Sequence, residues 1–202
     1  MIKSFTTIAL LILIIVDLYP QSNDSEDINI ISEVNPFVEK GTKVLALDSA
    51  DLNGDGKMDY VLILDILESN SDNNVEEGDR SLRLLIRKPN NTLYIAKRND
   101  NIVYCSYCGG VLGDPFESLK TGLETFTIRN YGGSAWQWWS SYKFNYSKVD
   151  NTWLLVRVEE GSLNTWTPNS LKKSVYTFPK NFGKIDISDF DHDNYLKKEV
   201  NK

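Results

Sequence analysis

Within residues 51–59, the side chains of Asp51, Asn53, Asp55 and Asp59 place four oxygen-bearing groups around Gly54 and Gly56. Three carboxylates and an amide at this spacing repel one another if the loop closes empty, whereas a hard cation takes several such oxygens at about 2.3 to 2.6 Å. The chemistry expected is calcium binding. Asp51, Asn53, Asp55 and Asp59 would supply side-chain oxygens and Lys57 a backbone carbonyl. Gly56 follows the third ligand, where the chain must turn sharply and a residue without a Cβ does so at no steric cost. A site made wholly of protein ligands ties segments together, so the ion is read as a structural staple. The plain alternative is a polar turn, since Asp, Asn and Gly are turn residues. It explains the composition but not the alternation of acids.

The second chemical feature is Cys105-Ser106-Tyr107-Cys108, which holds both cysteines of the chain. There is no second cysteine pair, and His192 is the one histidine, so a four-ligand zinc site from Cys and His is disfavoured. A disulfide between Cys105 and Cys108 is expected, with a redox pair as the alternative. The bridge closes a small ring, adds about 2 kcal/mol and fixes the loop over residues 105–116. The following Gly109-Gly110-Val111-Leu112-Gly113 matches neither a phosphate loop nor a dinucleotide fingerprint. No nucleophile elbow or zincin helix is present, and no residue is singled out as catalytic.

Short apolar runs must position the acidic loop. It is entered through Val44-Leu45-Ala46-Leu47 and left through Tyr60-Val61-Leu62-Ile63-Leu64, which read as strands. An EF-hand would need a bidentate Glu at the twelfth loop position, where this chain has Leu62. Over residues 43–65 the chain resembles the calcium loops of FG-GAP and VCBS repeats, D-x-[DN]-x-D-G-x-x-D, set between two strands. Those families carry several copies, and this chain has one. It resembles small secreted bacterial proteins with a single such loop, a likeness that implies no particular activity. A weaker echo, Asp189-Phe190-Asp191-His192-Asp193-Asn194, lacks the glycine and has Lys197 at the last acidic position. It reads as the start of a short C-terminal helix over about 189–200, capped by Ser188 or Asp189.

The body of the chain predicts a mostly β fold of antiparallel sheets and meanders joined by hairpins. Residues 81–87 put Leu82, Leu84 and Ile86 on one face, and a turn at Lys88-Pro89-Asn90-Asn91 leads to a partner over 92–97. Residues 124–131, 135–146 and 152–159 form a three-stranded meander, joined by Gly132-Gly133 and by a turn near Asp150-Asn151. Along residues 136–146, alternation places Trp136, Trp138, Tyr142, Phe144 and Tyr146 on one face, expected to be core. Trp139 falls on the other, with Gln137 and Asn145. It either covers the edge of a second packed layer or offers an indole to a sugar face or a protein partner.

The ends and the charge set the compartment. Residues 1–22, with Lys3 before an apolar run over 8–16, are expected to be a signal peptide cleaved near Gln21 or Ser22, an uncleaved anchor being the alternative. That run falls short of the roughly 20 residues of a membrane span. Residues 1–22 carry Lys3 and Asp17, which cancel, so the remainder keeps the net charge of −6. Scattered Lys and Arg in an acidic chain argue against nucleic acid. Residues 23–202 are expected to form one β-rich domain, with a loose leader over 23–30 and an acidic loop over 68–80. The function expected is a secreted or periplasmic calcium-binding module, non-catalytic, with a glycan or protein partner. Two alternatives stay open: an extracytoplasmic hydrolase inhibitor or immunity protein, and a carboxylate-dependent hydrolase.

Overall fold

The computed structural model of the chain describes residues 32–68 and 76–196. Residues 1–31, on which the expected signal peptide and leader fall, and residues 69–75 of the expected acidic loop lie outside the described residues. Strands β1 (Thr42–Ala50), β2 (Asp59–Ile66), β3 (Arg80–Arg87) and β4 (Leu93–Asn99) form a sheet in sequence order. Strands β5 (Phe116–Gly122), β6 (Thr125–Gly133), β7 (Trp136–Ser147), β8 (Thr152–Asn164) and β9 (Thr167–Thr177) form a second. Every neighbouring pair is antiparallel, so both sheets are meanders. The acidic loop joins β1 to β2 as a strand-loop-strand unit, with Ala50 opposite Asp59. Two of the expected turns carry an Asn in the left-handed region, Asn91 at φ 64° and Asn151 at φ 52°, which Asn tolerates better than other residues with a Cβ.

Alternation decides what each sheet buries. Val61, Ile63, Leu82, Leu84 and Ile86 from the first sheet meet Phe126, Ile128, Tyr142, Phe144, Leu155 and Val158 from the second in one core. The opposite face of β2 and β3 is covered as well. Tyr60, Leu62, Leu64 and Leu85 pack under Val34, Phe37 and Val38 of the segment around the 3-10 turn Asn35–Phe37. Burial on both faces is why residues 60–64 read as an unbroken apolar run and not as alternation.

Three expectations are corrected. Arg80 belongs not to the acidic loop but to β3, where it is 1 % exposed and pairs in register with Asp65. Its Nη1 donates to the Tyr104 carbonyl at 2.9 Å and to Asp114 Oδ1 at 2.8 Å, and its guanidinium lies 6.0 Å from the Phe116 ring centroid. A guanidinium leaves water at this depth because Asp65 and Asp114 neutralise it and a carbonyl takes a further proton. Second, the described part of the C-terminal segment holds a 3-10 turn, Ile187–Asp189, and no α-helix. Its cap is Asp186, whose Oδ1 accepts from the Ser188 amide at 2.8 Å. Downstream, Asp191 Oδ1 takes the Asp193 amide at 2.9 Å and Oδ2 the Asn194 side chain at 2.8 Å, a local bonding that competes with helix. Ile187, Phe190 and Tyr195 then cross the core as a strap; residues 197–202 lie outside the described residues. Third, Trp136 is not core: it is 54 % exposed.

Candidate functional site

The acidic loop is held by its own acids. Asp51 Oδ1 accepts from the amides of Gly54 at 2.7 Å and Asp55 at 3.1 Å, and its Oδ2 from Gly56 at 2.8 Å. Asn53 Oδ1 accepts from the Asp55 amide at 3.0 Å, and Asp55 Oδ1 from the Lys57 amide at 2.9 Å. Gly54 and Gly56 sit at φ 75° and 83°, the left-handed conformation the sequence assigned to Gly56. Asp59 is fully buried, its two oxygens taking the Leu52 amide at 3.0 Å and the Arg87 amide at 2.8 Å. Burial pushes the Asp59 carboxyl up, the two amides oppose that, and the charges of Asp55 and Asp51 push it further. The charges of Asp51 and Asp55 thus bear on the buried Asp59 carboxyl.

Among the described residues, no three His, Cys, Asp or Glu side chains stand together in a group that could hold a metal ion. Calcium also takes amide and carbonyl oxygens, here Asn53 and Lys57, and a carboxylate oxygen engaged by one N–H retains a second lone pair. In the type of their donor atoms, carboxylate, amide and carbonyl oxygens, the residues are of the kind that ion takes. The loop is also tied to the second sheet. Its Asp51 carbonyl accepts from the Glu124 amide at 2.8 Å, its Leu52 carbonyl from Trp153 Nε1 at 2.9 Å, and Gly54 lies against the Glu124–Lys148 ion pair.

Cys105 and Cys108 are disulfide-bonded, with Cα atoms 5.1 Å apart. The loop they begin is stitched down: the Gly133 amide donates to Gly109 O at 2.7 Å, Tyr131 to Pro115 O at 2.8 Å, and Ser106 to Gly78 O at 2.8 Å. Val111 and Leu112 stand exposed at its turn. Upstream, Tyr104 reaches a cavity that the sequence did not announce.

That cavity measures about 390 Å³ and is lined by Tyr104, Trp138, Trp139, Ser140, Glu160, Gly161, Ser162, Lys172 and Ser174. Register accounts for the set. Trp138 pairs with Ser162 and Ser162 with Lys172; Ser140 pairs with Glu160 and Glu160 with Ser174. Two cross-strand rows on the inner face of the second sheet thus form its walls. The row between them, Trp139 and Gly161, contributes floor. By alternation the Trp139 indole lies on the outer face, where its ring covers Gly161 so closely that a Cβ there would collide with it.

The electrostatics of the cavity are unusual for a core face. Glu160 and Lys172 form no salt bridge with each other or with any other described residue. The Tyr104 ring lies 5.0 Å from Trp138 and 4.0 Å from His192, and its hydroxyl is 3.2 Å from that of Tyr142. Burial pushes the Tyr104 and Tyr142 hydroxyls up, so both stay protonated and able to donate. Asn130 Nδ2 donates to Ser140 Oγ at 3.2 Å, while Asn130 Oδ1 is buried with no hydrogen-bond partner among the described residues. The Tyr195 hydroxyl, 7 % exposed as a residue, likewise lacks a hydrogen bond of good geometry, and burial followed by the influence of Glu160 pushes its pKa up.

Of the expected partner-binding residues, Trp139 reaches this cavity and Gln137 and Asn145 do not. Asn145 is six residues along β7 from Trp139, about 20 Å by strand rise, and bonds Thr125 Oγ1 at 2.8 Å. The indole available to a ligand is that of Trp138, which the alternation had assigned to the core. Its signal was present in the sequence: Ser140 interrupts the aromatic face of β7, and Glu160 and Ser162 continue the inner face of β8 beyond Val158.

The chain matches no family model, no curated protein and no solved structure.

Proposed function

We propose that this protein is an exported, calcium-stapled binding module that holds a neutral glycan in the cavity between Tyr104, Trp138 and Glu160. The observation carrying the reading is the lining itself: the rings of Tyr104, Trp138 and Trp139 beside three serines, a carboxylate and an ammonium that are not paired with each other. Aromatic rings pack on the C–H faces of sugars, and hydroxyl-rich ligands need donors and acceptors interleaved. A volume of 390 Å³ suits a small ligand and not a flat protein contact. Charges of both signs on the wall, in a chain of net charge −6, favour a neutral glycan over a polyanionic one. The lining offers one carboxylate, Glu160, where glycoside hydrolysis commonly uses two, which supports binding without turnover. The Cys105–Cys108 bond supports an oxidising compartment.

Calcium, when bound, would be held by Asp51, Asn53, Asp55, the Lys57 carbonyl and Asp59, and would neutralise acids that otherwise repel. The residues of the loop do the structural work of fixing the β1–β2 turn to Glu124 and Trp153 of the second sheet.

The glycan reading is tested by co-sedimentation with insoluble chitin and cellulose and by calorimetry with soluble fragments of each. Binding that is lost in Trp138→Ala and kept in Trp139→Leu, both variants melting cooperatively, supports it. Failure to bind any neutral glycan, or binding indifferent to Trp138→Ala, overturns it. Capture of an extracytoplasmic protein by the outer face instead would favour a protein partner.

A further inference from the structure

One strand face grades from core to solvent in a fixed direction. Along the inner face of β7, Tyr142 is 1 % exposed, Ser140 4 %, Trp138 half-buried and Trp136 54 % exposed. The β7–β8 register from Trp136 to Lys143 is continuous, so Trp136 and Trp138 share that face, about 7 Å apart along the strand. That face is therefore covered at the Tyr142 end and exposed at Trp136, with the cavity between them at Ser140 and Trp138. Tyr104, held between His192 and Trp138, strengthens the covered end. Beyond Trp136 the sheet ends in the β8–β9 turn, where the Thr165 amide bonds Ala135 O at 2.8 Å and Trp166 is 85 % exposed.

We infer that the cavity takes the terminal sugar of a neutral glycan chain and that the second unit leaves across the exposed indole of Trp136. This rests on the glycan reading and adds direction and length to it. A single sugar would fill the covered end, with Ser140 and Glu160 in reach. An indole two positions along the same face would otherwise be held in water with nothing to cover it. Glu160 accepts and Lys172 donates; neither is in a salt bridge among the described residues, and Glu160 lies beside the Tyr195 hydroxyl. An N-acetylated sugar offers the amide N–H and carbonyl that such a pair can bond without transferring net charge.

The test is calorimetry with β-1,4-linked N-acetylglucosamine oligomers of one to four units, and the matching glucose oligomers, against wild type, Trp136→Ala and Trp138→Ala. Trp136 is half exposed, and its removal should leave the melting temperature unchanged, which the same samples check. In wild type the dissociation constant should fall by about tenfold from one unit to two or three and then level, as a single further ring contact would give. In Trp136→Ala the constant should stay at the one-unit value for every length, and Trp138→Ala should weaken all lengths alike. A length gain that survives Trp136→Ala, or no length gain in wild type despite binding, overturns this inference and leaves the glycan reading standing. Absence of binding at every length overturns both.

Discussion

Calcium should raise the stability of this protein by a calculable amount, and Asp55→Ala should erase that amount while leaving the metal-free protein nearly as stable as before. Asp55 is exposed, and its carboxylate accepts one bond, from the Lys57 amide at 2.9 Å. Losing an exposed bond of this kind costs about 0.5–1 kcal/mol, partly offset because one of three mutually repelling acids is gone. Calcium sites of the weak extracellular class have dissociation constants of about 10⁻⁴ to 10⁻³ M. At about 5 mM free ion, mass action then stabilises the folded state by about 1–2.3 kcal/mol. For a domain of this size that is a rise of about 2–9 °C in melting temperature relative to chelator. Asp59→Asn should behave differently. Both its oxygens hold buried amides, those of Leu52 and Arg87, so either orientation of the new amide leaves one N–H facing an NH₂ group. That should cost about 1–3 kcal/mol with or without calcium.

The pH dependence has a definite sign. Burial, then the charges of Asp55 and Asp51, push the Asp59 carboxyl above its ordinary value. A raised acid favours folding fully below its unfolded value of 3.8 and loses that contribution as pH rises through the folded value. Metal-free protein therefore carries a penalty at neutral pH that a bound cation would relieve, and the calcium increment should shrink on acidification towards pH 4. Differential scanning calorimetry of the oxidised protein at pH 7, 5.5 and 4.5, with calcium and with chelator, reads all of this. A wild-type melting temperature identical in calcium and chelator at pH 7 would refute the metal assignment.

Arg80→Met should destabilise by about 2–4 kcal/mol in urea denaturation, because it leaves Asp114 without its guanidinium and Asp65, at the buried end of β2, with Lys43 as its one cation. A hydrogen bond from Arg87, at 2.8 Å to Glu33 Oε2, holds the Glu33 carboxyl below its ordinary value of 4.5. That contribution is complete above pH 4.5 and is lost as pH falls through the lower folded value, so Glu33→Gln should flatten the fall in urea midpoint below that pH. Gly161→Ala would drive a Cβ into the Trp139 ring and the Lys172 carbonyl. It should cost about 1–3 kcal/mol and shift tryptophan fluorescence, whereas a variant as stable as wild type would contradict the packing of that indole.

What was legible in the sequence was whatever local periodicity controls. The alternation of Leu82, Leu84 and Ile86, the Asn-bearing turns and the strand-loop-strand unit follow from neighbours within a few residues, and the structure reproduces them. Arg80 was hidden because a cation at the end of an acidic stretch has the composition of a loop. Its partner Asp114 lies 34 residues on, and only the fold brings the two together. The C-terminal strap was misread for a related reason. Its alternating acids look like a helix start, but the pull of Phe190 and Tyr195 into the core outweighs it. The cavity was half visible: alternation named the right face of β7 but took every aromatic on it to be core. A strand longer than the core beneath it must leave its end uncovered, and Ser140 marks where that happens.

The acidic loop, on the first sheet, touches one end of the second sheet and the cavity lies at the other, which fixes how the two proposed sites should relate. The acidic loop bonds Glu124, whose carbonyl in turn accepts from the Tyr146 amide at 2.8 Å, whereas the cavity begins at Ser140 and Trp138. Trp138 and Tyr146 are eight residues apart on β7, about 27 Å by strand rise. Between them the inner face is filled by Tyr142 and Phe144, both essentially buried and fixed by ring contacts with Phe190. Coupling over that distance needs an element with two arrangements that both ligands bias, and a strand inside a five-stranded sheet with a packed core has one. Calcium should therefore change how much of the protein is folded without changing how tightly folded protein holds a glycan. Dissociation constants measured well below the melting transition should agree with and without calcium, and by reciprocity a saturating glycan should leave calcium affinity unchanged. A shift of more than about threefold in either constant would mean that the loop reaches the cavity through a rearrangement of β7, and the ion would then be part of recognition as well as of the fold.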